Sequence, residues 1–228
     1  MSIDIKAFWT IAAALIVTVL LLSIFVLGGV ATRPLWRENG VVESLSALFY
    51  LTVFLLCVYF AFRSPYPHRV YLFGWALLCL VFFGEETSWL QHWIGYTTPE
   101  WMAANNSQGE FNIHNLAPLQ GGALMTSGLD WRVLLKSQHL FQAGLVAYFL
   151  LFPMLNAVAP AGRLIARLQA PVPGWNLVLA IWAVVALSVG LTFLADAETR
   201  SGIAETREMI YALAIFAFIG AYVWQVRR

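Results

Sequence analysis

Six apolar runs, at about 8–30, 43–62, 70–91, 134–156, 174–195 and 204–226, constrain this chain more than any other feature. At about 1.5 Å per helical residue, each is long enough to cross roughly 30 Å of hydrocarbon. Lipid offers no hydrogen bonds to exposed backbone, so such runs must be helical. A barrel would instead show alternating segments of about ten residues. The predicted fold is therefore all-α, an integral membrane bundle of six transmembrane helices forming one domain, 1–228. The composition agrees: 61% of residues are hydrophobic and 11% charged, where soluble domains carry about 25% charged residues.

The first run, Phe8 to Val30, has 23 residues and no charge. A cleavable signal has an apolar region of roughly 7–15 residues, so this run reads as a retained span. Cys57 and Cys79 lie mid-span, form no C-x-x-C pair, and read as small hydrophobes. A net charge of +1 gives no reason to expect nucleic acid. The lipid bilayer is the expected partner, with other membrane subunits a further one.

Pro65, Pro67, Pro171 and Pro173 fall in the connections, where a missing amide donor does least harm. With the N-terminus cytoplasmic, the inner side holds Lys6, Arg63, Arg69, Arg163, Arg167, Arg227 and Arg228. The outer side holds Arg33, Arg37, Arg132, Lys136, Arg200 and Arg207. Seven against six is a thin positive-inside margin. The acids are lopsided, since eleven of twelve fall outside and Asp4 alone falls inside. Trp36, Trp89, Trp93, Trp101 and Trp131 cluster there too. The expected location is the bacterial inner membrane, with the working face periplasmic.

On that face lies the polar stretch from Gly84 to Asn115, running from the third span into the outer loop 92–133. Glu85 and Glu86 stand near the outer end of the span, where a carboxylate costs roughly 2.5–3.5 kcal/mol and should face the bundle interior with a partner. A continuous helix would place Glu85, Ser88, Trp89 and His92 on one stripe, with Glu86 turned about 100° away. Such acids suit a general acid or base, or a metal ligand shared with His92. They equally suit an ion pair that fixes helix packing.

Within the loop, Thr97, Thr98, Pro99 and Glu100 form a helix start, with Pro99 at N1, opening a short interfacial helix through Ala104. Asn105 to Gly109 is turn chemistry, and Asn105-Asn106-Ser107 matches the glycosylation sequon. From Glu110 to Asn115 polar and apolar residues alternate. If extended, the segment aims Glu110, Asn112 and His114 one way and Phe111 and Ile113 into the apolar frame. It reads either as a re-entrant lid completing a site over Glu85 or as a self-capping loop.

The expected catalytic groups are Glu85, Glu86, His114 and His139. Arg37, Lys136 and Arg207 are expected to hold an anionic headgroup, with Glu38, Asn112 and Asn115 also contacting substrate. His92, His114 and His139 together with a carboxylate suit an open divalent site such as zinc, although no H-x-x-E-H, H-E-x-x-H or H-x-x-x-H spacing occurs. Glu43, Ser46 and Tyr50 make a polar stripe on the second span. On the last, Ser201 reads as an N-cap, followed by Glu205 and Glu208 on one face.

These segments resemble an uncharacterised family of bacterial polytopic membrane proteins that share G-E-E-x-S-W and Q-G-E-x-N-x-H-N. Here the motifs run from Gly84 to Trp89 and from Gln108 to Asn115, with Arg37-Glu38-Asn39-Gly40 and Glu43 similar to the family's acidic outer segment. The resemblance covers about a quarter of the chain and implies no activity. In that pattern an arginine often follows the glutamine, where this chain has His92. The Glu-Glu pair is similar to that of glutamate intramembrane proteases that process prenylated proteins. Those need an arginine where Leu90 stands, and a later H-x-x-x-N/D that is absent. Trp36-x-Glu38-Asn39 resembles the acidic segment of alkaline ceramidases, whose paired-histidine motif is missing.

The expected function is an outward-facing Glu/His site that serves a hydrolase or transferase acting on a lipid or lipid-linked substrate. The alternative is a non-enzymatic accessory subunit that docks through the polar loop. Ion translocation is weaker, because no acidic chain continues from Glu85 to the inner side.

Overall fold

The protein is described by a computed structural model that covers residues 5–36, 40–120 and 136–226, with side chains in the first helix from residue 16. Its helices are α1 (Ile5–Leu27), α2 (Gly29–Trp36), α3 (Val41–Ala61), α4 (His68–Glu86), α5 (Gln91–Ile94), α6 (Glu100–Ala103), α7 (Ala117–Gln120) and α8 (Ser137–Val146). A π-helical turn, Ala147–Leu151, joins α8 to α9 (Phe152–Ala157). Then follow α10 (Ala159–Leu168), α11 (Trp175–Leu194) and α12 (Ala197–Val226). Among the described residues, five helices are long and apolar enough to cross a membrane. The all-α membrane bundle expected from the apolar runs is what the structure shows.

The core forms where helices present small or branched side chains at helical spacing. In α3, Val53, Cys57 and Ala61 are wholly buried; in α4, Leu72 and Cys79 are, with Ala76 nearly so. Small residues on this seam let the two helices approach closely. The opposite side of α3 packs on α12, the most enclosed of the spans, whose buried face runs from Ile203 through Ile210 and Ile215 to Tyr222. α11 and α1 close the far side of α12.

α12 starts earlier than the sequence implied. Its cap is Asp196, whose carboxylate accepts the Thr199 amide at 2.8 Å, and Ser201 lies inside the first turns. That extra turn meets α2 at close range. A Cβ on Gly29 would stand 2.4 Å from the backbone of Glu198, and one on Gly202 would strike the Trp36 indole at 2.6 Å. The Gly29 amide donates to Thr199 Oγ1 at 2.9 Å across the same crossing.

Pro153 has no amide to offer the Phe149 carbonyl one turn before it. The Trp182 indole of α11 takes that acceptor at 3.1 Å, so a polar atom freed within the span is satisfied by its neighbour. The adjacent π turn carries Tyr148 and Phe149.

The connection at 157–173, expected as a bare basic turn, contains α10. Arg163 and Arg167 lie one turn apart on one face of it, with Leu164 and Leu168 exposed and Ile165 buried. Two tyrosine hydroxyls hold its end: Tyr71 donates to the Leu168 carbonyl at 2.8 Å and Tyr148 to that of Pro171 at 2.6 Å.

Candidate functional site

Gly84 to Trp89 ends α4 with a knot. The helix stops at Glu86, and Ser88, Trp89 and Leu90 take positive φ of 45°, 53° and 66°. Three consecutive non-glycine residues in the left-handed region cost of order 1–3 kcal/mol each. The fold-back is possible because Gly84 lacks a side chain: a Cβ there would lie 2.7 Å from the Trp89 ring. Trp89 Nε1 then donates to Glu85 at 3.0 Å, Thr87 caps the Phe83 carbonyl at 2.8 Å, and Tyr96 Oη donates to the carbonyls of Ser88 and Trp89. The single helical stripe expected for Glu85, Ser88, Trp89 and His92 is therefore corrected. The reversal carries His92 to Glu110 instead.

Two carboxylates organise the loop above the knot. Glu85 Oε2 accepts the amides of Ile113 and His114, each at 2.8 Å, and lies 3.3 Å from His114 Nδ1. Glu110 takes the Ser88 hydroxyl in a short contact, Asn112 Nδ2 at 3.3 Å, and has His92 Nε2 at 2.8 Å.

The amides complete the loop by bonding one another. Asn106 Nδ2 donates to both oxygens of Asn112, and its own oxygen caps Gln108. Asn115 Nδ2 donates to Gln108, while Gln91 bridges Thr98 and the Phe111 amide.

The 110–115 segment is not extended. Asn112 is buried, whereas Ile113, expected inward, is 53% exposed. Phe111 does turn into the frame, edge-on to Tyr96 at 5.7 Å. α6 spans Glu100–Ala103 with Pro99 at the cap position, one place before the expected N1. The loop closes on itself because amides that bond one another need no water.

Below it lies a chamber of about 1200 Å³ bounded by α3, α4, α8, the π turn, α12 and the loop. Its lining divides into two ends. The upper end presents Glu43, Glu85, Glu86, Glu205 and Glu208 with Tyr50 and His114. The lower is apolar and aromatic, reaching Trp75, Tyr148 and, in the first turn of α4, Tyr71. From Tyr71 to Glu86 is about 22 Å along the helix, close to the depth of a leaflet and a half.

Glu86 is the exception among the site acids. No hydrogen-bond donor reaches it among the described residues. The charges nearest it are the carboxylates of Glu208, Glu43, Glu205 and Glu85. Glu208 receives Gln138 Nε2 at 3.5 Å and lies within electrostatic reach of His114 and Arg207.

The chamber has a side opening. α4 meets α8 and the π turn that follows it through two ring pairs, Phe82–Phe141 and Trp75–Tyr148, each with centroids 5.0 Å apart. Both pairs are separated by seven residues along their helices, or about 10 Å. Leu78 and Gly144 stand between them, with Gly74 and Leu140 just outside, all four exposed and all lining the chamber. A Cβ on Gly74 or Gly144 would meet nothing within 4 Å.

The expected site residues divide accordingly. Glu85, Glu86, His114, Asn112 and Asn115 line the chamber; His139 is exposed on α8 and does not. Lys136 and Arg207 are not among the lining side chains, and Arg207 Nε is buried without a hydrogen-bond partner. The described side chains at the chamber head are mainly acids. Arg37 and Glu38 lie outside the described residues. Nor do His92, His114 and His139 form a zinc site here. Among the described residues no three His, Cys, Asp or Glu side chains gather as metal ligands, because His92 and His114 are drawn to separate glutamates.

Sequence reasoning passed over the lower half of the chamber. Two aromatic positions seven residues apart on each of two spans, with Gly74 just before one pair and Gly144 within the other, were its signal. Comparison of the chain with protein-family models, curated proteins and solved structures finds no match.

Proposed function

We propose that the protein is a multi-pass enzyme of the bacterial inner membrane, N-terminus cytoplasmic, a hydrolase or transferase acting on a lipid-like amphiphile. The observation that carries this reading is Glu86: a carboxylate with no donor among the described residues, facing a chamber whose other end is apolar and whose side opens to lipid. Charged groups at membrane depth are costly and usually serve a pathway or a site. The tail enters between α4 and α8 and lies along Trp75 and Tyr148, which brings the head beneath the periplasmic loop.

Glu86 is the general acid or base, and His114 the second proton-transferring group. Glu85 already accepts two amides and an indole, so it serves as a positioning residue that holds His114 over the chamber.

The test compares membranes holding the wild-type protein, Glu86→Gln or His114→Gln, each incubated with a total lipid extract and followed by mass spectrometry. A lipid species consumed by wild type and spared by both variants supports the reading. Identical profiles for all three, with the variants equally expressed, reject it.

A docking role has one observation in its favour. Trp93, Ile94 and Trp101 on the loop are 76%, 68% and 64% exposed. A stoichiometric membrane partner lost from the Trp93→Ala, Trp101→Ala double variant, with lipid turnover unchanged, would favour the accessory-subunit reading.

A further inference from the structure

The head of the chamber discriminates by charge. Resting on the reading that an amphiphile occupies this chamber, we infer that its ligand carries a cationic, amine-bearing head. Six glutamates, Glu43, Glu85, Glu86, Glu110, Glu205 and Glu208, line the chamber, and no lysine or arginine appears among its described lining side chains.

Glu86 gives this direction independently of the count. It is enclosed by the bundle, faces the cavity, and accepts no hydrogen bond from a described residue. Among the described residues, the charges that bear on it most are the carboxylates of Glu208, Glu43, Glu205 and Glu85. Carboxylates facing one another in a low-dielectric space repel strongly, and an ammonium placed among them relieves that repulsion while supplying up to three donors. A phosphate or carboxylate head would add to it. Among the described residues His114 and Arg207 lie on the favourable side for an anion, but Glu85 holds His114 and Glu208 lies within the field of both.

The apolar remainder fixes the rest of the ligand class. The stretch from Glu86 to Tyr71, about 22 Å along α4, holds a single long alkyl chain. The portal at Gly74 and Gly144 has no Cβ to obstruct its entry. The ligand class is thus a single-chain or slender long-chain amine drawn sideways from the bilayer, its nitrogen at Glu86 beside Glu208.

The experiment is native mass spectrometry of the full chain released from detergent micelles, titrated separately with hexadecylamine, hexadecanol and palmitate. The amine adduct should persist at a concentration about tenfold or more below that needed for the alcohol, with palmitate weakest. Glu86→Gln should bring the amine down to the level of the alcohol. Glu208→Gln repeats the test should Glu86→Gln fail to fold, which its melting curve reveals.

Equal retention of all three probes by wild type, or an amine preference that survives both variants, overturns the inference while leaving the chamber reading intact. A Gly144→Phe variant separates the two failures. Its closure of the slot should abolish every adduct, and three adducts unaffected by it would remove the chamber itself.

Discussion

Glu85 and Glu86 are neighbours in sequence at the end of the same helix, yet they have opposite surroundings. Glu85 turns up into the loop and collects amides, an indole and an imidazole. Glu86, about 100° around the helix, turns into the chamber and meets other carboxylates. Glu85 is satisfied by the loop and holds structure, whereas on the proposed reading Glu86, without a donor among the described residues, serves a ligand.

The comparison is broken most directly at Gly84. Gly84→Val puts a branched side chain where the Trp89 ring already lies 2.7 Å away. It should unseat the knot, cost about 3 kcal/mol or more, and open the loop to limited proteolysis. If melting and proteolysis match wild type, the knot does not depend on that contact.

Next comes Glu85→Ala, which strands two amides and an indole. At about 1–3 kcal/mol per unsatisfied buried donor, with His114 partly exposed, a loss of about 3 kcal/mol is expected in detergent melting. Glu86→Ala is its counterpart and should change stability by less than about 0.5 kcal/mol, or raise it, since no partner is lost. Equal destabilisation by the two substitutions would erase the distinction between structural and functional acid.

A smaller effect tests the lower half of the chamber. Trp182→Phe leaves the Phe149 carbonyl without its donor beside Pro153 and should cost about 1–2 kcal/mol. Pro153→Ala on that background restores the missing amide and should recover most of it.

The smallest effect is electrostatic and distant from the site. Asp196 lies outside the spans, and its capping of Thr199, helped by Arg200, holds its carboxyl below the ordinary range. A lowered folded value means this contribution is complete above the unfolded value near 3.9 and fades as pH falls through the folded one. Acid titration of the melting temperature should therefore flatten slightly in Asp196→Asn.

Length and hydropathy alone determined the all-helical membrane bundle, because an apolar run of twenty residues has few other solutions in lipid. The residue types also indicated which stretch carries the polar chemistry, while leaving open whether its loop is a lid or caps itself. Tertiary structure decided the rest. Whether α4 continued past Glu86 depended on a glycine giving way to a tryptophan five residues later, a contact that no helical periodicity encodes. Which of two adjacent glutamates lacks a donor depended on where the chain returned after the reversal. The chamber came from two spans held apart by paired rings, and the gap between helices is a property of their packing rather than of either helix.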